Sequence, residues 1–131
     1  MNPLKTGLTL LRLAVASIFV VHGVTRIALD GVTGFGGFLN GSGVPQGTAV
    51  AWILTIVEIL GGLALATGHW VRLLALWFGV QIAAGIYLVH APSGWFVVGA
   101  GRNGAEYSAL ILVCLLVVAL TDSASLKVRL G

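Results

Sequence analysis

Four long apolar runs, separated by connections richer in glycine, proline and polar residues, organise this chain. They cover about residues 8–29, 48–67, 71–90 and 105–121. A helix needs about 20 mostly apolar residues to cross the hydrocarbon core of a bilayer, and these runs are close to that length. The pattern therefore predicts an all-α polytopic membrane protein, a four-helix bundle that forms one domain over residues 1–131.

The three connections differ in length and character. Only Gly68-His69-Trp70 separates the second and third runs, so these two helices are expected to be antiparallel neighbours. The first connection, GVTGFGGFLNGSGVPQG, mixes glycines with spaced aromatic residues. It predicts an outer loop that folds back onto the membrane face, with or without a short helix. The last connection carries Trp95 and Phe96, which suit the membrane interface.

Composition strengthens the membrane assignment. Only 8% of the residues are charged and 58% are hydrophobic, whereas a soluble domain carries about 25% charged residues. The formal net charge of +3 comes from basic residues scattered singly between apolar runs, so no basic patch for nucleic acid is formed. Cys114 is the single cysteine, which excludes an intrachain disulfide and a thiolate metal site. No metal site is expected.

The distribution of lysine and arginine predicts the orientation. Basic residues in cytoplasmic segments outnumber those outside in most membrane proteins. By this rule both termini and the 68–70 turn are cytoplasmic, the two long connections face outward, and the membrane is a prokaryotic cytoplasmic (inner) membrane. The basic residues on the cytoplasmic side are Lys5, Arg12, Arg72, Lys127 and Arg129, and those on the outer side are Arg26 and Arg102.

Glu58 is an isolated carboxylate in the middle of the second run, WILTIVEILGGLALATG. A charge at this depth costs roughly 3 kcal/mol on insertion scales, so intramembrane carboxylates commonly serve a pathway, a relay or a ligand site. Glu58 has two ways to lower that cost: it is protonated, or it pairs with His22 or an arginine. Its role is then either functional or a structural contact between helices.

The polar residues within the runs cluster by depth. At 1.5 Å per residue, all four helices place polar side chains in the outer half of the bilayer. A cavity that opens outward would need such a one-sided cluster. Structural alternatives stay open, since Arg26 can extend to the outer headgroups and His22 can be a hydrogen-bonded core residue. The cluster consists of His22, Arg26, Glu58, Gln81, Tyr87 and Glu106.

The chain resembles the DoxX family of small four-helix membrane proteins. The resemblance rests on HGVTR, TGFGGFLNGSGVP, VEILGGLALATGHWVR and NGAEYSALILV, which together cover nearly the full length. It implies that His22, Arg26, Glu58 and Glu106 occupy the family's characteristic polar positions, with Arg26 in place of the commoner lysine. The family includes the membrane subunit of an archaeal thiosulfate:quinone oxidoreductase and a subunit of a bacterial oxidoreductase complex. Some redox relatives carry paired cysteines, and this chain does not.

Two functions follow as expectations. The first is a subunit of a respiratory or detoxifying oxidoreductase that handles a membrane quinone or protons in the outward-facing cluster. Its electrons come from a partner subunit or a reduced small molecule, because no flavin, haem or iron–sulfur motif is present. Glu58, His22 and Glu106 are then the candidate catalytic residues, and His22, Arg26, Gln81 and Tyr87 the candidate quinone ligands. The alternative is a non-catalytic anchor or scaffold of a larger complex, with a homo-oligomer also compatible. A transporter ranks below both because no inverted repeat is evident.

Overall fold

A computed structural model describes residues 2–122, and within that range the chain is helical without a β-strand. The helix that begins at Val71 continues after Gly85 through a π-helical turn at Ile86–His90 and a short 3-10 turn at Ala91–Ser93. Lys127 and Arg129, which contributed to the predicted orientation, lie outside the described residues. The α-helices are α1 (Pro3–Ala28), α2 (Val32–Gly41), α3 (Gly47–Thr67), α4 (Val71–Gly85) and α5 (Glu106–Leu120).

Three of the helices within residues 2–122 are long and apolar enough to cross a membrane: α1, α3, and α4 with its continuation to Ser93. The predicted all-α class is confirmed, and the predicted membrane character is confirmed by these three long apolar helices. Helix α5 is apolar but has 15 residues, a length of about 22 Å against the roughly 30 Å of a hydrocarbon core. The fourth span and the orientation of the termini stay predictions.

The fold divides into two compact units, which are described separately. Ala16–His69 contains the second part of α1 together with α2 and α3. The other unit combines the start of α1, up to Val15, with the segment from Trp70 onward that holds α4 and α5. The single-domain organisation stays a prediction.

Helix α2 forms within the glycine-rich first connection and packs along α3. Val32 and Leu39 of α2 are buried together with Ala51 of α3. At the start of α3, the side-chain Oδ1 of Asn40 accepts a hydrogen bond from the Gly47 N–H at 2.8 Å. One N–H at the helix N-terminus, which has no partner within the helix, is thereby satisfied. The connection is therefore an ordered helix fastened to α3.

The C-terminal half of α1 approaches α3 closely at two glycines. A Cβ added at Gly23 would lie 2.7 Å from Ile59 Cγ1 and 3.0 Å from the Thr55 carbonyl oxygen. A Cβ at Gly62 would lie 2.6 Å from Val20 Cγ2. Small residues at such crossings allow helix backbones to come together. The close approach at Gly23 brings the following turn of α1 within side-chain reach of the middle of α3.

In the second unit α4 packs along α5, with Ala75 and Phe78 of α4 buried as well as Leu115 and Val118 of α5. The connection between these helices is closed by backbone hydrogen bonds. The Ala105 N–H donates to the Gly94 carbonyl, the Glu106 N–H to that of Trp95 and the Gly104 N–H to that of Phe96, each at 3.0 Å. These bonds fix where α5 begins.

The contact between α2 and α3 predicts unequal effects for two adjacent glycines. A Cβ at Gly36 would lie 2.6 Å from the Thr48 Cα, so Gly36→Ala must separate the helices and is expected to destabilise the protein by about 1–3 kcal/mol. A Cβ at Gly37 meets no described atom within 4 Å. Gly37→Ala is therefore expected to be neutral or stabilising by up to about 1 kcal/mol. Unfolding of the detergent-solubilised variants measures both, and equal effects would contradict the packing.

Candidate functional site

The centre of the candidate site is an ion pair between Arg26 of α1 and Glu58 of α3. The Arg26 Nη1 donates to the Glu58 Oε2 at 2.7 Å, and its Nη2 lies 3.4 Å from the other carboxylate oxygen. The Glu58 side chain is 4% exposed and that of Arg26 is 17% exposed. Of the two predicted ways to lower the cost of Glu58, the structure contains pairing with an arginine.

Thr55 of α3 makes a further polar contact with Arg26. Its Oγ1 accepts a second hydrogen bond from the Arg26 Nη1 at 2.9 Å and donates to the Ala51 carbonyl at 2.7 Å. The hydroxyl proton is therefore directed along the helix and the oxygen lone pair faces the guanidinium. Thr55 and Glu58 are three residues apart on one buried face of α3, the spacing that puts two side chains side by side.

Phe35 of α2 covers one face of the same guanidinium, with the Arg26 Cζ 4.5 Å from the ring centroid. At this distance a cation is attracted to the electron-rich ring face. The backbone supports the contact, since the Gly31 N–H donates to the Arg26 carbonyl at 2.7 Å and Asp30 adopts a left-handed conformation with φ 53°. Arg26 is thus held by α1, α2 and α3 together.

His22 lies one turn before Arg26 on α1 and is exposed. Its Nδ1 is 2.9 Å from the Ile18 carbonyl oxygen. Because a carbonyl only accepts, Nδ1 carries the proton, and in the neutral ring Nε2 is then a hydrogen-bond acceptor. A shallow surface recess of about 320 Å³ is lined by Val21, His22, Thr25 and Arg26. Two residues of the predicted polar cluster, His22 and Arg26, therefore line one recess.

The other candidate residues belong to the unit that contains α4 and α5. The Glu106 Oε1 accepts a hydrogen bond from the Val97 N–H at 3.1 Å, and its position in the first turn of α5 suits a negative charge. Gln81 is half-buried on α4, and Tyr87, in the π-helical turn, is 77% exposed. Their catalytic and binding roles stay predictions. Within residues 2–122 no group of three or more His, Cys, Asp or Glu side chains is placed to hold a metal ion.

Two residues of the site were not among the predicted site residues. Thr55 has a visible signal, because it shares a face of α3 with Glu58 at a helical spacing. Phe35 has no comparable signal. Its contact with Arg26 depends on where α2 begins and on the turn at Asp30, and neither can be located from a glycine-rich connection by periodicity.

The helices and the buried pair define a small polytopic membrane protein with a polar centre between apolar helices. The sequence model of the DoxX family matches residues 7–91, which is more than half of the chain, and the chain belongs to the DoxX family. The resemblance predicted from the sequence motifs is confirmed. The matched segment includes His22, Arg26, Glu58, Gln81 and Tyr87, whereas Glu106 lies beyond it.

One curated relative comes from Bacillus subtilis (strain 168) and carries the name "Putative oxidoreductase CatD". It is 27% identical to this chain over 119 residues, which cover 91% of this chain and 81% of the relative. No solved structure matches the chain.

The ion pair predicts strong energetic coupling between its two residues. Removing one partner of a buried pair leaves an uncompensated charge and typically costs about 3–5 kcal/mol. Arg26→Met and Glu58→Leu are each expected to lower the free energy of unfolding by about that amount, and the double variant by clearly less than the sum. Arg102→Met, at an exposed arginine, is the control and should change stability by about 0.5 kcal/mol or less. Denaturant unfolding in detergent measures the cycle. Additive single effects would contradict a coupled pair.

Proposed function

We propose that this protein is the membrane-embedded component of an oxidoreductase system and that the recess beside Arg26 binds the head group of a membrane quinone. One observation carries the proposal: the His22 imidazole and the Arg26 guanidinium, on successive turns of α1, line one recess. The buried Glu58 carboxylate lies 2.7 Å from the Arg26 Nη1. The family membership and the name of the Bacillus relative support the redox class.

The recess suits a small polar head group. Its volume of about 320 Å³ lies at the lower end of ligand clefts, which measure roughly 300–1,000 Å³. It is open at the surface of an apolar helix, so a hydrophobic ligand can approach from within the bilayer. A quinone supplies two carbonyl oxygens as acceptors and carries two electrons and two protons on reduction. The Arg26 guanidinium donates hydrogen bonds to such oxygens, and the neutral His22 Nε2 accepts one from a hydroxyl group of the reduced form, the quinol.

The three ionisable residues take different parts in this proposal. Arg26 stays charged and donates hydrogen bonds, since a guanidinium is not deprotonated in proteins. His22 exchanges protons at Nε2, because its Nδ1 is engaged by the Ile18 carbonyl. Glu58 holds Arg26 in place while it is ionised. Glu58 is also the proposed proton carrier behind Arg26, and the two side chains are in direct hydrogen-bond contact at 2.7 Å.

The proposals for the electron source and for the roles of the remaining candidate residues are based on the sequence. No flavin, haem or iron–sulfur motif is present, so electrons are proposed to come from a partner subunit. Gln81 and Tyr87 are proposed as further quinone ligands and Glu106 as a proton carrier. The proposed location is a prokaryotic cytoplasmic membrane.

Quinone binding tests the recess directly. The probe is decylubiquinol, whose hydroxyl groups can donate to the neutral His22 Nε2, and its binding to the detergent-solubilised protein is measured by isothermal titration calorimetry. His22→Phe removes one hydrogen-bonding group worth about 1 kcal/mol, so the Kd is expected to rise about fivefold. His69→Phe makes the same change at an exposed histidine in the turn after α3 and should leave the Kd unchanged. Equal affinities for the wild type and His22→Phe would contradict the proposed site.

A non-catalytic anchor or scaffold is the second candidate, and one observation favours it. Exposed aromatic residues lie in the connection before α5 and in the first turn of that helix: Trp95 is 56%, Phe96 46% and Tyr107 54% exposed. Aromatic residues are enriched at protein interfaces as well as at membrane surfaces. Gentle purification from the native membrane separates the candidates. A stoichiometric large assembly without bound quinone would support the scaffold, and copurified quinone that is lost in His22→Phe would support the quinone site.

A further inference from the structure

A second recess lies in the unit that contains α4 and α5, at the end where α1 and α4 begin and α5 stops. Its volume is about 170 Å³. Two cations of α1, Lys5 and Arg12, line it together with Asp122, which follows α5. Apolar walls come from Val71, the first residue of α4, and Val118 of α5. The quinone proposal does not use this recess.

Arg12 provides the main evidence that this recess binds a ligand. It lies seven residues after Lys5, about 10 Å further along the helix axis. Its Nε is buried and has no hydrogen-bond partner among the described residues. A buried donor without an acceptor is costly, and a guanidinium does not lose its proton. An acceptor from outside the described chain would satisfy this nitrogen.

The charges in the recess favour an anion. The lining contains two positively charged residues, Lys5 and Arg12, and one negatively charged residue, Asp122, so it has an excess of one positive charge. The positive end of the α4 dipole lies at Val71. The two threonine hydroxyls of the lining donate within their own helices, Thr9 to the Lys5 carbonyl at 2.9 Å and Thr121 to the Val117 carbonyl at 2.7 Å. Lys5 and Arg12 are therefore the donors suited to a ligand.

We propose that this recess binds the phosphodiester group of an anionic phospholipid. A guanidinium matches phosphate oxygens with paired, charge-assisted hydrogen bonds. Lys5, closer to the start of α1, adds a second positive charge near the membrane surface, where basic residues attract anionic lipids. A single negative charge balances the excess in the lining. The apolar walls formed by Val71 and Val118 suit the glycerol end of the acyl chains.

Native mass spectrometry of the full chain in detergent tests the proposal with phosphatidylglycerol and phosphatidylethanolamine as probes. The wild type is expected to retain one phosphatidylglycerol at about tenfold lower lipid concentration than Arg12→Gln. It should prefer phosphatidylglycerol over the zwitterionic lipid by a similar factor. Arg72→Gln removes a positive charge from the first turn of α4, at an exposed residue that does not line the recess. This control should retain lipid like the wild type.

Several results would overturn the proposal. Equal loss of lipid in Arg12→Gln and Arg72→Gln would indicate a general attraction to surface charge. Equal retention of the two lipids would exclude recognition of net charge. Displacement of phosphatidylglycerol by excess inorganic phosphate would indicate a site for free phosphate.

If Arg12→Gln does not fold, Lys5→Gln is the variant that tests the recess, since Lys5 is exposed near the start of α1. It should weaken phosphatidylglycerol retention severalfold, and unchanged retention would overturn the proposal.

Discussion

The ion pair between Arg26 and Glu58 imposes the main constraint on the unit formed by residues 16–69. Charges taken out of water must be paired and hydrogen-bonded at good geometry, or they destabilise the fold. The surrounding elements meet this requirement in different ways. Gly23 allows α1 to approach α3, the Thr55 oxygen accepts a further hydrogen bond, and Phe35 covers one face of the cation. A polar centre can therefore exist between helices whose other surfaces are apolar.

The same arrangement connects the buried part of the site with its surface. The Arg26 guanidinium contacts a nearly inaccessible carboxylate, while the residue also lines a recess with His22. A change in the charge of Glu58 therefore alters the hydrogen bonds of a residue that a ligand in the recess would contact. The hydrogen bond between Arg26 and Glu58 stabilises the fold and also positions the Arg26 guanidinium beside the recess. A structural role of Glu58 is therefore compatible with a functional one.

The sequence predicted those features that depend on local pattern. The apolar runs indicate helices, and the isolation of Glu58 in such a run predicts either protonation or pairing with His22 or an arginine. The structure contains the pairing with Arg26. Features that depend on chain reversals could not be predicted in the same way. The start of α2 follows from the left-handed residue Asp30 and the Gly31 hydrogen bond, and the use of Glu106 at the start of α5 depends on the closure of the preceding connection. Hydrophobic periodicity contains no information about either.

The short reversal between α1 and α2 limits how the chain can vary in length. The Arg26 backbone is bonded to Gly31, and its side chain is covered by Phe35 only nine positions later. Each residue turns an α-helix by about 100°. A one-residue insertion early in α2 would therefore rotate Phe35 away from the cation, even if every existing residue were kept. Insertions and deletions in this segment would therefore break the alignment of the aromatic ring with the guanidinium.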